Sequence, residues 1–418
     1  MTVFHYVGML LFLTAFFGFL NYKYIKLPHT IGMSVISLVV SLIIVVVDTV
    51  TPGSALLHVS EILHKLDFHN TLLNGILCVL LFAGAMETHI DNLKEQLLPI
   101  AVFASVGVLI STFVIGSITF YALPLIDIQI PFIWCLVFGA LISPTDPIAV
   151  LSLFKTVYVP ESLKAKTSGE SLFNDGVGVV MFVIMLALAT GSGGDIGTAS
   201  VAKLFFAEAV GGAIVGAIAG YMAYQALRRM NAPVEELAIT LALACNTYIL
   251  AQLLHVSGPI AVVVAGLIIG AVSHKDAMSD ETKHHVSVFW EGLDGILNSI
   301  LFMVIGFEVL LIGWNPSLAL VGGLAIVASL VGRYISIAVP VAAMSIVHPF
   351  SRGSIPILTW GGLRGGISVA LALSLPDSEY KGVILAATCA VVIFSIIIQG
   401  LTMKRLVLHY FPVSNTAD

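Results

Sequence analysis

Charged residues are scarce in this chain of 418 residues. They make up 10% of the sequence, whereas hydrophobic residues make up 58%; soluble domains carry about 25% charged residues. So few charges cannot cover a water-exposed surface, which excludes a soluble globular protein. The 18 Lys and Arg are outnumbered by 24 Asp and Glu, and this lack of basic excess excludes a nucleic-acid-binding surface.

Several other common signatures are also missing. The four cysteines, Cys78, Cys135, Cys245 and Cys389, lie in separate apolar runs without a histidine partner. This spacing argues against a disulfide scaffold and a zinc site, and it predicts small core residues. No phosphate-binding loop or nucleotide fingerprint occurs, so we predict no cofactor. The first apolar stretch has no basic leader and no cleavage motif, and we therefore interpret it as a membrane span.

What the chain has instead is long apolar runs. A helix that crosses a bilayer needs about 20 apolar residues, and the sequence contains thirteen runs of helix length. They are residues 3–22, 28–48, 68–86, 97–122, 131–154, 166–190, 201–227, 235–254, 257–273, 286–312, 318–347, 354–375 and 382–408. We number them spans 1 to 13. The sequence thus predicts an all-α polytopic membrane protein, with residues 1–418 forming a single membrane unit.

Lysine and arginine positions predict the orientation of these spans. Only Lys65, Lys203 and Lys381 fall on one side of the membrane, and Arg333 and Arg364 lie within spans. The remainder of the 18 basic residues fall on the opposite side. Because basic loops stay in the cytoplasm, we predict an external N-terminus and a cytoplasmic C-terminus.

Two spans are interrupted in the middle. Ser-Pro-Thr-Asp-Pro at 143–147 breaks span 5, and Gly-Gly-Leu-Arg-Gly-Gly at 361–366 breaks span 12. Seven spans separate the breaks, so the two halves have opposite orientations, as in transporters built from inverted repeats. We predict two six-helix repeats whose broken helices cross. The predicted divisions are a first repeat at 1–191, a connecting helix at 201–227, a second repeat at 235–411 and a short cytoplasmic tail at 412–418.

The first break contains an acidic residue, Asp146, between two prolines. A charge at bilayer depth costs about 2.5–3.5 kcal/mol and needs a partner or a function. Each proline removes a backbone donor, and unwound backbone would offer carbonyl oxygens beside the carboxylate. Hard cations prefer such oxygen ligands. The alternative interpretation is a proline kink with an internally satisfied aspartate.

Span 6 carries four polar residues near its start, Glu170, Ser171, Asn174 and Asp175. Ser171 and Asp175 are four residues apart and share one helix face, while Glu170 and Asn174 share the adjacent face. This pattern predicts two polar edges on one helix. The alternative is a polar helix end close to the cytoplasm.

Two arginines within spans require partners. Arg333 lies in the middle of span 11, and a buried guanidinium needs a carboxylate. We predict an ion pair with Glu170. Arg364 lies among the glycines of the second break, where it either neutralises the C-terminal dipole of a half-helix or faces a cytoplasmic cavity. In span 10, Glu291, Asp294, Asn298 and Glu308 follow roughly helical intervals, which predicts a polar face lining a cavity.

Five of these segments, in this order, resemble the monovalent cation/proton antiporters, specifically their electroneutral NhaP-like and NHE-like branch. They are Ser-Pro-Thr-Asp-Pro at 143–147, Gly-Glu-Ser-Leu-Phe-Asn-Asp-Gly at 169–176, Phe-Trp-Glu-Gly-Leu at 289–293, Gly-Arg at 332–333 and Gly-Gly-Leu-Arg-Gly-Gly at 361–366. The resemblance implies a thirteen-helix fold with a core domain and a dimerisation domain, acting as a homodimer. The electrogenic branch of these antiporters looks different. It has Asp where this chain has Asn174, and typically Lys where this chain has Arg333.

The same resemblance implies the ion ligands. The carboxylates of Asp146 and Asp175, the Ser171 hydroxyl and the Thr145 backbone carbonyl would hold the cation, with Glu170 reached through water. Three further residues would support the site: Asn174 fastens it to the broken helix, Arg333 pairs with Glu170, and Arg364 belongs to the second break.

The function that we predict is 1:1 exchange of Na+ or Li+ for H+ in a prokaryotic-type inner membrane, with proton and cation competing for Asp175. The predicted partners are the two ions, the lipid bilayer and a second copy of the chain. Three alternatives remain open at this point. They are K+/H+ exchange, sodium-coupled symport of an organic anion and an intramembrane aspartyl protease built on paired aspartates.

Overall fold

A computed structural model describes residues 3–50, 75–88, 95–191, 198–273, 280–308, 316–346 and 348–412. Within these ranges the chain is helical, and an isolated pairing of Asp146 with Leu363 is the β-type contact present. The α-helices, numbered α1 to α17, are Val3–Leu20, His29–Val50, Leu77–Glu87, Leu97–Val102, Val108–Ala122, Phe132–Ile142, Ile148–Phe154, Glu161–Thr190, Thr198–Leu227, Pro233–Leu253, Gly258–Ser273, Asp280–Glu308, Pro316–Met344, Ser354–Trp360, Gly366–Leu373, Lys381–Phe394 and Gly400–Tyr410.

In its described part, every predicted span coincides with a helix or with a pair of helices. Spans 4 and 13 each consist of two α-helices joined by a π-helical turn, at Phe103–Gly107 and Ser395–Gln399. Within the described ranges, nine helices are long and apolar enough to cross a membrane, and three shorter apolar helices accompany them. The all-α polytopic fold is therefore confirmed. The count of thirteen crossings stays a prediction, because residues 68–74 of span 3 and 309–312 of span 10 lie outside the described residues, as do tail residues 413–418.

Both predicted breaks are present, and the two broken spans cross at them. The first lies between α6 and α7, because Pro144 and Pro147 each lack the N–H that a continuous helix needs. The second lies between α14 and α15, where four glycines lower the helix propensity. The freed N–H of Asp146 donates to the carbonyl of Leu363 at 2.8 Å. Each break thus satisfies backbone that the other exposes.

The helix of span 6, α8, begins at Glu161 rather than at the predicted residue 166. Glu170 and Asp175 therefore lie well inside the helix, and the alternative of a polar helix end is wrong. Lys166, the first residue of predicted span 6, is buried with its ammonium 4.6 Å from the ring centre of Phe350. A long lysine stem can be buried when its charge finds such a partner.

Helix α9, the predicted connecting helix, packs closely along α11. A side chain at Gly212 would lie 2.5 Å from the carbonyl oxygen of Ser257, and one at Gly216 would collide with the carbonyl of Ala261. Small residues allow such close approach between membrane helices. Of the four cysteines, Cys78, Cys135 and Cys389 are buried as predicted, whereas Cys245 is exposed on α10.

Candidate ion-binding site

A cavity of about 420 Å³ opens beside the crossing of the two broken spans. Residues from both breaks line it, together with parts of α3, α7, α8 and α12. The polar side chains along its wall come from Glu87, Thr88, Thr145, Asp146, Ser152, Lys155, Glu161, Lys164, Ser168, Asp175, Asp294, Asn298 and Ser368. The cavity therefore connects Asp146 and Asp175 with more exposed lysines and carboxylates on the same wall.

Asp146 lies at the centre of this crossing. Its Oδ1 accepts a hydrogen bond from the backbone N–H of Ile148 at 2.9 Å, which caps the start of α7. Its Oδ2 lies against Gly365 of the second break, where an added Cβ would come within 2.5 Å of that oxygen. Glycine at 365 is thus required for the two breaks to meet around this carboxylate. One carboxylate oxygen has a local backbone partner, and the other remains available for a ligand.

The unwound residue Thr145 is fastened to α8 by a small hydrogen-bond network. Its N–H donates to the Asn174 Oδ1 at 3.3 Å, and the Asn174 Nδ2 donates to the Thr145 Oγ1 at 2.8 Å. The Ser171 hydroxyl lies 3.0 Å from the same Oγ1. All three residues are buried. This network holds an otherwise irregular backbone in one conformation next to Asp146 and Asp175.

Asp175 is buried, at 8% exposed, yet it lines the cavity. It lies close enough to Asp146 for the two carboxylates to interact electrostatically. In the described part of the chain, no lysine or arginine forms an ion pair with either aspartate. A buried carboxylate without a positive partner is costly. Such a pair is therefore suited to take up a proton or a cation from the cavity.

Glu170 and Arg333 form the predicted ion pair. The Arg333 Nη1 donates to the Glu170 Oε1 and its Nη2 donates to the Oε2 at 3.0 Å, so that both carboxylate oxygens are occupied. Arg333 also donates from Nε and Nη2 to the Leu358 carbonyl at 3.2 and 3.0 Å. The guanidinium thereby ties α8 to the first half of span 12. Glu170 does not line the cavity.

Arg364 takes the first of its two predicted alternatives. It is 2% exposed, and its Nη1 donates to the carbonyls of Ser143 and Pro144, at 2.5 and 3.0 Å, where helix α6 ends. The last carbonyls of a helix lack intrahelical donors and carry partial negative charge. A positive guanidinium satisfies both needs. Arg364 is absent from the residues that line the large cavity.

Sequence reasoning missed the two polar residues that support the second break. The Ser395 hydroxyl accepts from the Arg364 N–H at 2.8 Å, and the Gln399 side chain donates to the Trp360 carbonyl at 3.1 Å. Both residues lie in the π-helical turn of span 13, four positions apart in a mostly apolar run. A polar pair in an otherwise apolar run is the sequence signal that could have identified them. Span 13 thus supports the second break as span 6 supports the first.

The polar face predicted for span 10 is present in part. Asp294 and Asn298 line the cavity. Glu291 is two-thirds exposed and lies 3.8 Å from the Lys155 ammonium at the cavity mouth. The side chain of Glu308 lies outside the part of the structure that can be described. Span 10 therefore contributes two of its four predicted polar residues to the wall.

Within the described residues, no group of three His, Cys, Asp or Glu side chains could hold a metal ion together. The central site offers two carboxylates with hydroxyl and backbone oxygens instead, a set that suits a monovalent cation.

The family model for sodium/hydrogen exchangers, transmembrane, matches residues 10–409. The chain belongs to the sodium/hydrogen exchanger family. It is 43% identical over 410 residues to the Na+/H+ antiporter NhaP of Pseudomonas aeruginosa, covering 96% of this chain and 95% of that protein. It is 35% identical to the antiporter NhaH of Halobacillus dabanensis, covering 92% of each chain.

The fold also matches a solved structure. The sodium proton antiporter MjNhaP1 of Methanocaldococcus jannaschii at pH 8 superposes with a TM-score of 0.73, with 20% identity and 98% of each chain covered. This match shows the fold, and the family model with the similar antiporters confirms the family resemblance found in the sequence motifs. Membership in this exchanger family makes the chain a multi-pass membrane transporter and sets aside the protease alternative.

Proposed function

We propose that this exchanger family member is a secondary antiporter of Na+ or Li+ against H+, with Asp175 holding either the cation or the proton. One observation carries the proposal. Asp146 and Asp175 meet at the crossing of two broken helices, on the wall of a cavity, without a basic partner among the described residues. The similar proteins from Pseudomonas and Halobacillus are named Na+/H+ antiporters, which supports Na+ and H+ as the exchanged ions.

The ligands that we assign to the cation are the carboxylates of Asp146 and Asp175, the Ser171 hydroxyl and the Thr145 carbonyl. The hydrogen bonds from Asn174 hold Thr145 in place, so the ligands stay close together when the site is empty. Preorganisation of this kind lowers the cost of binding. Glu170 has both oxygens engaged by Arg333, and we assign it to this structural pair rather than to the bound ion.

Coupling follows from the cost of an unpaired buried charge. If the bare carboxylate must cross the bilayer centre, it carries an uncompensated charge through a medium of low dielectric constant. Binding of Na+ or of H+ removes that cost. The site therefore changes sides only when one of the two ions is bound, and exchange results from alternating access.

The proposed stoichiometry is one Na+ for one H+. Asn174 is neutral at the position beside Asp175, and the Glu170 charge is already balanced by Arg333. We assign Asp146 to ligation in both half-cycles, because its Oδ1 is held by the Ile148 N–H at 2.9 Å. Asp175 is then the group that trades a proton for the ion. Each half-cycle then carries one positive charge, and net charge movement is zero.

Orientation and assembly belong to the same proposal. The cavity opens toward Lys155 and Lys164, which the charge distribution of the loops assigns to the cytoplasm. We infer an inward-facing state, an external N-terminus, a cytoplasmic C-terminus, an inner-membrane location and a homodimer. Native mass measurement in lipid nanodiscs tests the dimer directly.

The experiment that tests the function uses purified protein in liposomes that enclose a pH-sensitive dye. Additions of Na+, Li+, K+ and choline are compared at equal ionic strength. We expect proton movement with Na+ and Li+ and none with choline. A response to K+ alone would establish the K+/H+ alternative, whereas an absence of proton movement with every cation would overturn the proposal.

A further inference from the structure

We propose that Asp294 and Asn298 form an outer site on the cavity wall for a hydrated monovalent cation. The ion would stop there on its way between the cavity mouth and Asp146 and Asp175. This inference rests on the proposed antiport function, and it adds a residue pair that neither the ion ligands nor the Glu170–Arg333 pair includes.

The first argument is the state of Asn298. Its side chain is 2% exposed and lines the cavity. Neither its Oδ1 nor its Nδ2 forms a hydrogen bond with any residue that the structure describes, although the amide approaches the Asp294 carboxylate. A buried amide left without partners costs about 1–3 kcal/mol. The side chain therefore needs partners from the cavity. A hydrated cation supplies both, because the ion or its water can bind to Oδ1 and a water oxygen can accept a hydrogen bond from Nδ2.

The second argument is position. Asp294 and Asn298 are four residues apart on α12, which places them on one face of the helix, and both reach the same cavity. Asp146 and Asp175 line that cavity too. A cation held at Asp294 thus shares the cavity with the central site.

The third argument is the distribution of charge around the cavity. Its two lysines are already engaged, Lys155 with Glu291 at 3.8 Å and Lys164 with Glu161 at 2.7 Å. Among the described residues, none of the lysines or arginines forms an ion pair with Asp294. Unbalanced carboxylates in a cleft with low-dielectric walls concentrate cations from solution.

The chemistry of the pair fits a hydrated monovalent ion. One carboxylate and one amide fill few coordination positions, and no third His, Cys, Asp or Glu completes a metal site within the described ranges. Divalent ions such as Ca²⁺ take about 6–8 oxygen ligands. The outer site therefore leaves most of the hydration shell in place and releases its ion easily.

The test measures sodium-dependent proton flux in liposomes at low and at high ionic strength. At low ionic strength we expect Asp294→Asn to raise the KM for Na+ roughly three- to tenfold, as expected for one charge at several ångströms in a partly aqueous site. The effect on kcat should be smaller. Asn298→Ala should raise the KM in the same direction. Asp294→Glu, which keeps the charge, should recover most of the affinity and so excludes misfolding as the cause.

Asp377→Asn is the control, because it removes one negative charge at an exposed position away from the cavity wall. Its KM should stay within about twofold of the unmodified protein. An equal rise in KM for Asp377→Asn and Asp294→Asn would mean that general surface charge causes the effect, and it would overturn the site. A normal KM for Asp294→Asn would overturn it as well, while leaving antiport intact.

Binding of radioactive Na+ to purified protein separates the two proposals. In an Asp175→Asn background we expect residual, weaker Na+ binding that the added Asp294→Asn change removes. Loss of all binding in Asp175→Asn alone would contradict the outer site and support the central one. Full binding in Asp175→Asn would instead contradict the central role of Asp175.

Discussion

Glu170 and Asp175 lie five positions apart on the same helix and have opposite surroundings. Both are buried, at 1% and 8% exposed. Glu170 has both oxygens occupied by Arg333 and does not line the cavity, whereas Asp175 lines it and has no described basic partner. Burial alone therefore does not distinguish an ion-binding carboxylate from a structural one. Contact with the cavity and the lack of a positive partner make that distinction.

The largest expected effect comes from neutralising the ion-binding carboxylate. Asp175→Asn should reduce Na+-driven proton flux to that of protein-free liposomes, because an amide cannot carry the proton and binds a cation weakly. The fold should persist, since the change removes a buried charge without removing volume. Flux assays and size-exclusion profiles of the purified variant check both expectations. The exposed pair of Asp377 with Lys381, 3.2 Å apart, supplies the control Asp377→Asn, which should exchange normally.

The paired carboxylate should show the contrasting effect, on stability. Breaking a buried ion pair from one side costs about 3–5 kcal/mol, so Glu170→Ala and Arg333→Ala should both lower the unfolding temperature in detergent. Arg333→Ala should be the more harmful, because it also removes the bonds to the Leu358 carbonyl. The double variant should lose less than the sum of the two. Additive losses would mean that the two side chains do not stabilise one another.

The difference between these two carboxylates could be predicted from the sequence only in part. The buried Arg333 demanded a carboxylate partner, and Glu170 was the correct choice. The motif around Asp146 also predicted the break, since two prolines cannot continue a helix. Apolar length alone located the helices to within a few residues, as with span 6, whose helix begins earlier at Glu161.

The rest depended on contacts between distant parts of the chain. Ser395 and Gln399 stand out as a polar pair in span 13, but the sequence did not indicate that they would contact the second break. The choice of Arg364 between a half-helix end and a cavity needed the relative placement of two breaks more than 200 positions apart. The division of the span 10 face into Glu291 at the mouth and Asp294 on the wall required the positions of α7 and α12.

A smaller effect concerns pH. If one proton and one Na+ compete for Asp175, the apparent KM for Na+ should rise about tenfold for each pH unit below the pKa of that carboxylate, and it should level off above it. The direction follows from mass action, because the proton occupies the site at low pH. Initial rates across pH and Na+ concentration check the slope. A KM that does not change with pH would exclude competition at one shared carboxylate.

The central claim is that Asp175 alone trades a proton for the ion while Glu170 stays locked to Arg333. Its most direct test is the voltage dependence of exchange in proteoliposomes whose membrane potential is set by a potassium ionophore. The one-for-one cycle moves no net charge, so initial rates of Na+-driven proton flux should be equal at positive, zero and negative potential. Rates that change strongly with potential would contradict the claim and require a second titrating residue, with Asp146 and Glu170 the first to examine.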